Sequence, residues 1–134
     1  MNLGEILIVD DEVEFLETLV KRLRHREVGV RSAHSGEEAL ELLEEAPADV
    51  VVLDVKMSGM GGIQTLREIK SRYPLTEVIM LTGHASVEAA IQGMELGAFD
   101  YLMKPVELKE LLYKIQDAKD RKTLQEAKIR SLEP

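Results

Sequence analysis

The sequence predicts a doubly wound α/β fold, one parallel sheet of five strands with helices on both faces. Five short apolar runs alternate with five segments of helical periodicity, which is the order of a βα-built parallel sheet. Three of those runs, Ile6-Leu7-Ile8-Val9, Val50-Val51-Val52-Leu53 and Val78-Ile79-Met80-Leu81, are apolar without alternation, as suits central strands covered on both sides. The other two, residues 28–32 and 98–102, are mixed in character and are expected at the edges.

The helices are set off by their own punctuation. The first carries an apolar stripe of Val13, Leu16, Leu19, Val20 and Leu23. Ser35-Gly36-Glu37-Glu38 reads as a capping box opening the second, with Ser35 and Glu38 each satisfying the other's free N–H. That helix turns Ala39, Leu40, Leu42 and Leu43 inward and stops at Pro47. A third follows Gly61-Gly62, buries Ile63, Leu66 and Ile69, and ends before Pro74. The fourth is expected from an N-cap at Ser86 to about Gly97, and the fifth begins after Pro105 with Leu108, Leu111, Leu112 and Ile115 inward. From about Asp117 the chain becomes charged and its heptad meets Lys122 and Gln125. Residues 1–118 are therefore assigned to one domain and 119–134 to a helical extension or linker without a strong coiled coil.

Composition excludes several functions. A chain of 134 residues has room for one domain with a core. No run is long enough to span a bilayer, and the start MNLGEILIVDD lacks the features of a signal peptide, so a cytoplasmic location is expected. The absence of cysteine removes disulfides and thiolate metal sites. A net charge of −8 argues against direct binding of nucleic acid or an anionic membrane, both polyanions. Lys21-Arg22 and Arg24-His25-Arg26 are the main basic clusters, read as a solvated helix end that suits the helix dipole.

Chemistry is concentrated where the strands end. Asp10 and Asp11 follow strand one, Asp54 ends strand three, Thr82 ends strand four and Lys104 lies just past strand five. In an open parallel sheet these are all carboxyl ends, where ligands of such folds bind. Two unit charges about 4 Å apart repel by roughly 4 kcal/mol at an effective dielectric near 20. Clustered carboxylates therefore call for a cation, a shared proton or both. Oxygen-only donors favour a hard ion such as Mg²⁺. With Lys104 as a mobile charge and Thr82 as a hydroxyl donor, the set describes a carboxylate nucleophile receiving a phosphoryl group.

The stretches Ile6-Leu-Ile-Val-Asp-Asp-Glu12, Val51-Val-Leu-Asp54, Met80-Leu-Thr82-Gly and Tyr101-Leu-Met-Lys104-Pro105 resemble the receiver domain of bacterial two-component response regulators. The resemblance covers roughly residues 5–118. Residues 81–101 are most similar to receivers of the large regulators that activate transcription with an AAA+ ATPase. It implies a flavodoxin-like (βα)5 three-layer sandwich with strand order 2-1-3-4-5. By the same resemblance Asp54 takes a phosphoryl group from a sensor histidine kinase, a phosphotransfer protein or a small phosphodonor. Asp11, Asp54 and the backbone carbonyl of Lys56 would ligate Mg²⁺ with help from Asp10. Lys104, before a cis bond to Pro105, would bind the phosphoryl group. Thr82 and Tyr101 would switch, remodelling the face of helix 4, strand 5 and helix 5. Such a domain is not a conventional enzyme but catalyses its own phosphorylation and dephosphorylation. It is compatible with a homodimer, and with either a stand-alone receiver or an output domain beyond residue 134, the latter favoured by the charged tail.

Departures from the family pattern are few. Ser58 stands where many receivers have proline; a looser loop is expected, touching no site side chain. Lys56 and His84 occupy positions that tend to influence acyl phosphate lifetime. Taken singly, each residue has a plainer reading: an acid-rich helix start for Asp10-Asp11-Glu12, a satisfied hydroxyl for Thr82, a surface lysine for Lys104 and a half-buried edge residue for Tyr101. Two rival functions are weaker. A phosphatase or phosphotransferase using an aspartyl phosphate wants an acid two residues after the nucleophile, where Lys56 stands, and an interaction-only pseudo-receiver normally lacks a site acid or the lysine.

Overall fold

A computed structural model describes residues 2–83 and 86–134. Ten elements alternate: β1 Ile6–Val9, α1 Val13–His25, β2 Val30–Ala33, α2 Gly36–Glu45, β3 Val50–Leu53, α3 Gly62–Arg72, β4 Glu77–Thr82, α4 Val87–Glu95, β5 Asp100–Met103 and α5 Leu108–Ser131. All strand pairs are parallel, in the order β2-β1-β3-β4-β5. The expected fold class and strand order are thus observed.

Strand geometry divides the core in two, because successive side chains point to opposite faces. Ile6, Ile8, Val50, Val52, Ile79 and Leu81 meet α1 and α5 through Leu16, Leu23, Leu111 and Ile115. Leu7, Val9, Val51, Leu53, Val78 and Met80 meet α2 and α3 through Leu40, Leu43, Leu66 and Ile69. Burial on both faces is the physical reason the three central runs lack alternation.

The edges depart from expectation by about two residues. β2 begins at Val30, not 28, and β5 spans Asp100–Met103 rather than 98–102. An edge strand has one partner, so its limits follow that partner's register, Ile6 with Val30 and Ile79 with Asp100, and not its own apolar content. Val13, placed in the apolar stripe, is 48% exposed in the first turn of α1; Leu42 and Ile63 are only partly buried. The capping box is half formed. Ser35 Oγ accepts from the Glu38 N–H at 3.1 Å, but Glu38 Oε1 accepts from the His34 N–H at 2.6 Å rather than from Ser35. The N-cap at Ser86 is present, its hydroxyl oxygen accepting from the Ala89 N–H.

The charged tail continues α5 as a single helix, and its first cations return to the amino end of the sheet. Lys122 Nζ and Lys119 Nζ lie 2.9 and 3.5 Å from Asp49 Oδ1. Glu77, 2% exposed, sits between Lys70 Nζ at 3.5 Å and Arg121 Nε at 3.2 Å. Arg121 is not aligned to donate a hydrogen bond to Oε2, so that contact is Coulombic. Burial pushes the Asp49 carboxyl up, but the Glu5 N–H at 2.7 Å, Lys122 and Lys119 outweigh it and hold it below the ordinary carboxylate range. A depressed folded-state pKa contributes stability that is present above the unfolded value and lost as pH falls through the folded one. Asp49→Asn is therefore expected to cost about 1–2 kcal/mol at neutral pH, with the difference vanishing once pH is taken well below about 4. Urea unfolding at the two pH values measures it, and a pH-independent difference would contradict the ionic origin.

Candidate functional site

The carboxyl ends of the central strands place the acids. The Asp10 N–H donates to the Ala33 carbonyl at 3.1 Å and the Asp54 N–H to the Val9 carbonyl at 3.0 Å, extending the ladder one step past β1 and β3. Both side chains are buried, at 2% and 3% exposure. The Lys104 N–H donates to the Thr82 carbonyl at 2.8 Å, which brings the end of β5 beside that of β4. The Lys104–Pro105 bond is cis, as the resemblance implied.

Lys104 Nζ is the hub. It donates to Asp10 Oδ2 at 2.7 Å and Glu12 Oε1 at 3.1 Å, and stands 3.7 Å from Asp54 Oδ2. The Phe15 ring closes its other side, with the centroid 4.0 Å from Nζ. Asp10 Oδ1 accepts from the Glu12 N–H at 2.9 Å and Asp54 Oδ1 from the Lys56 N–H at 3.3 Å. Burial raises the Asp10 carboxyl above its ordinary value, aided by the charge of Asp54 and opposed by Lys104 and the Glu12 N–H. Burial alone would lower Lys104, but its hydrogen bonds to Asp10 and Glu12 and the charges of Asp10 and Asp54 raise it. The ammonium is held charged.

Of the expected site residues, Asp10, Asp54 and Lys104 come together. Asp11 lies one residue outward, its Oδ2 accepting from the Ser58 N–H at 3.2 Å. That corrects the expectation that the change at Ser58 touches no site side chain, since the N–H in use is one that proline lacks. Lys56 is exposed beside Asp54. Thr82 is wholly buried at the end of β4. Tyr101 is half-buried on β5, opposite Met80 in register and packed on the α2–α3 side of the core. His84 lies outside the described residues.

Two neighbours were not anticipated. In the sequence Glu12 reads only as part of a helix start; it is the N-cap residue of α1, yet its side chain makes no cap bond and reaches Lys104 instead. A third consecutive acid after a strand end was the available signal. Phe15 had none, since only the packing of α1 places its ring against residue 104.

The donor set fits a hard divalent cation. Among the described residues, one oxygen each from Asp10, Glu12 and Asp54 lies within 4.8 Å of the others. Three carboxylates face one ammonium, a shortfall of two positive charges, and all donors are oxygens, as Mg²⁺ prefers.

Gly62 supports the floor of this site. Its N–H donates to the Val55 carbonyl at 2.9 Å, and a Cβ there would collide with the Asp54 carbonyl oxygen and lie 2.6 Å from Val55 Cα and O. Because these atoms are backbone, they cannot turn aside. Gly62→Ala is expected to destabilise by about 3 kcal/mol, the upper end for overpacking. Gly61→Ala, where a Cβ meets open space, should stay within about 1 kcal/mol. Urea denaturation of the pair separates the two, and equal effects would refute the close approach.

A five-stranded parallel sheet in the order 2-1-3-4-5, with acids and a lysine at its carboxyl edge, defines a flavodoxin-like α/β domain. Within that class the chain belongs to the response regulator receiver domain family, whose model matches residues 6–116. It is 40% identical over 114 residues to the transcriptional regulatory protein ZraR of Escherichia coli K12, covering 85% of this chain and 26% of ZraR. The chain thus spans about a quarter of that relative. A receiver domain from Clostridium thermocellum superposes with a TM-score of 0.86 at 40% identity, covering 91% of this chain and 98% of that one. A response regulator from Burkholderia pseudomallei, solved with a phosphorylated aspartic acid, calcium ion and citrate, gives 0.79 at 29% identity over 92% of this chain and 72% of that one. The resemblance to receivers of transcription regulators is in accord with the match to ZraR. No helix among the described residues is long and apolar enough to cross a membrane.

Proposed function

We propose that this receiver accepts a phosphoryl group on Asp54 from a sensor histidine kinase or phosphotransfer protein and relays that state to an output domain or partner. The observation that carries the reading is the buried Asp54 carboxylate with Lys104 Nζ 3.7 Å from its Oδ2, beside the converging oxygens of Asp10 and Glu12. An Asp54 oxygen attacks phosphorus as the bond from phosphorus to the donor breaks, the donor leaving with the electron pair. Lys104 follows the charge from the carboxylates to a phosphoryl oxygen. Asp54, Asp11 and the Lys56 carbonyl, with Asp10 and Glu12 nearby, would hold Mg²⁺, which would supply positive charge to the phosphoryl oxygens.

Loss of the group is a second displacement of the same kind: water attacks phosphorus, the Asp54 carboxylate leaves with the electron pair, and the proton of the water passes to solvent. In this sense the domain acts on itself and is not a conventional enzyme. Thr82 and Tyr101 are the switch residues, and the surface of α4, β5 and α5 is the readout, two arrangements biased by new charge. The domain proper is taken as residues 1–118, with 119–134 leading to the output, in a cytoplasmic protein that regulates transcription and is able to pair as a homodimer. The phosphorylated aspartic acid and calcium ion of the Burkholderia pseudomallei relative support the chemistry.

Incubation with acetyl phosphate, with and without Mg²⁺, followed by intact mass and peptide mapping, tests the reading. One added phosphoryl group on the peptide containing Asp54, dependent on Mg²⁺, is expected. No mass gain, or label on another peptide, would sink it.

A further inference from the structure

Lys104 has an unusual floor. Its ammonium is surrounded by carboxylate oxygens at 2.7, 3.1 and 3.7 Å on one side and by the Phe15 ring at 4.0 Å on the other. The other two cation–ring contacts among the described residues, Arg121 over Phe99 and Lys109 over Tyr113, stand at 5.8 and 5.9 Å, near the limit for such an interaction. The Lys104 side chain is 11% exposed, so little water competes with the ring.

A lysine stem has four rotatable bonds and a strongly hydrated head, and tends to extend toward solvent unless held. Hydrogen bonds to Asp10 and Glu12 hold it here, but those bonds must yield if Nζ is to reach a phosphoryl oxygen. An aromatic face attracts the ammonium without consuming an N–H. It also adds no negative charge to a pocket that must admit a phosphoryl group. It can therefore retain the head through the exchange of one set of oxygens for another.

We propose that Phe15 is a positioning residue for phosphoryl transfer, its ring face holding the Lys104 ammonium at the acid pocket while the ammonium changes oxygen partners. The inference rests on the reading of Asp54 as phosphoacceptor. Phe15 also packs on the α1–α5 side of the core and lines an open groove with Thr18, Leu19, Arg22 and Pro105. A leucine there keeps apolar contact and seals no cavity, so the role of the ring's electrons is separable from that of its bulk.

The chain contains two phenylalanines, Phe15 and Phe99, which makes biosynthetic fluorination selective. In a Phe99→Leu background, mono- and then trifluorinated phenylalanine weaken the negative ring face in steps while nearly preserving shape. Initial rates of Mg²⁺-dependent labelling by acetyl phosphate are compared with those of Phe15→Leu and Phe15→Tyr, with urea unfolding as the check on stability. Phe15→Leu is expected to slow labelling about five- to tenfold, trifluorination to slow it comparably, monofluorination less, and Phe15→Tyr to recover most of the rate. A rate lowered by Phe15→Leu but indifferent to fluorine would reduce Phe15 to packing and overturn the inference. So would rates unchanged throughout. Absence of labelling in the unsubstituted protein would instead bring down the phosphoacceptor reading, and this inference with it.

Discussion

Asp54→Asn is expected to abolish phosphoryl acceptance, by more than about a thousandfold in initial rate, while leaving the fold as stable as before or slightly more so. The amide keeps the side chain's shape and an oxygen able to accept from the Lys56 N–H, now at 3.3 Å from Oδ1. It lacks the charge that makes a carboxylate oxygen a nucleophile toward phosphorus. Stability moves the other way because Asp54 is a buried acid in a like-charged pocket, and its charge is one of the causes that raise Asp10. Lys104 loses only its most distant carboxylate partner, at 3.7 Å, and keeps Asp10 and Glu12. The balance is a gain of roughly 0–1 kcal/mol. Intact mass after acetyl phosphate reads the first effect and urea unfolding the second. Labelling that persists in the variant would place the phosphoryl group elsewhere.

Lys104→Met is expected to damage both properties. Methionine keeps much of the side chain's apolar bulk and can lie against Phe15, but offers no charge to a phosphoryl oxygen, and labelling should slow by about a hundredfold. Folding suffers because Asp10, 2% exposed, loses its 2.7 Å donor and Glu12 its own. Removing one member of a buried pair costs about 3 kcal/mol, and Glu12, being exposed, adds little. The sign of the pH dependence follows. Asp10 is already held above its ordinary value by burial, and without Lys104 it moves higher. A carboxyl raised in the folded state destabilises above that raised pKa, and the penalty fades as pH falls toward the unfolded value near about 4. In metal-free protein the deficit of Lys104→Met should therefore shrink steadily on acidification from neutral pH. A deficit that grows toward acid would mean that Asp10 is not the group left unpaired.

How much of this was legible beforehand differs by element. The central strands were read to the residue or nearly so, because burial on both faces leaves an unbroken apolar run with no competing explanation. The limits of β2 and β5 differ from their apolar runs by up to about two residues, since they depend on a neighbour's register. The sequence marks Ser35 as a cap but does not fix the partner of Glu38, because His34 and Ser35 are adjacent and only the turn decides between their N–H groups. The charged tail reads as a helical extension or linker, and it continues α5 to Ser131; what its lack of apolar residues hides is its contacts with the fold. Those contacts are made mainly through charge, and their partners, half-buried Asp49 and buried Glu77, lie far away in sequence.

The sequence by itself determined the class of fold and which strand-end residues share one edge of the sheet. Strand periodicity is a local property, and chemistry at strand ends follows from it, so Asp10, Asp54, Thr82 and Lys104 could be assembled on one edge before any coordinate was known. Tertiary structure decided what each of them touches. It gave Lys104 to Asp10 and Glu12 more closely than to Asp54, turned Asp11 to the Ser58 N–H, and laid Phe15 beneath the ammonium. These choices rest on differences of an ångström or less between side chains brought together from α1, β1, β3 and β5, and on how burial weighs one charge against another. Neither quantity is a property of any one stretch of chain.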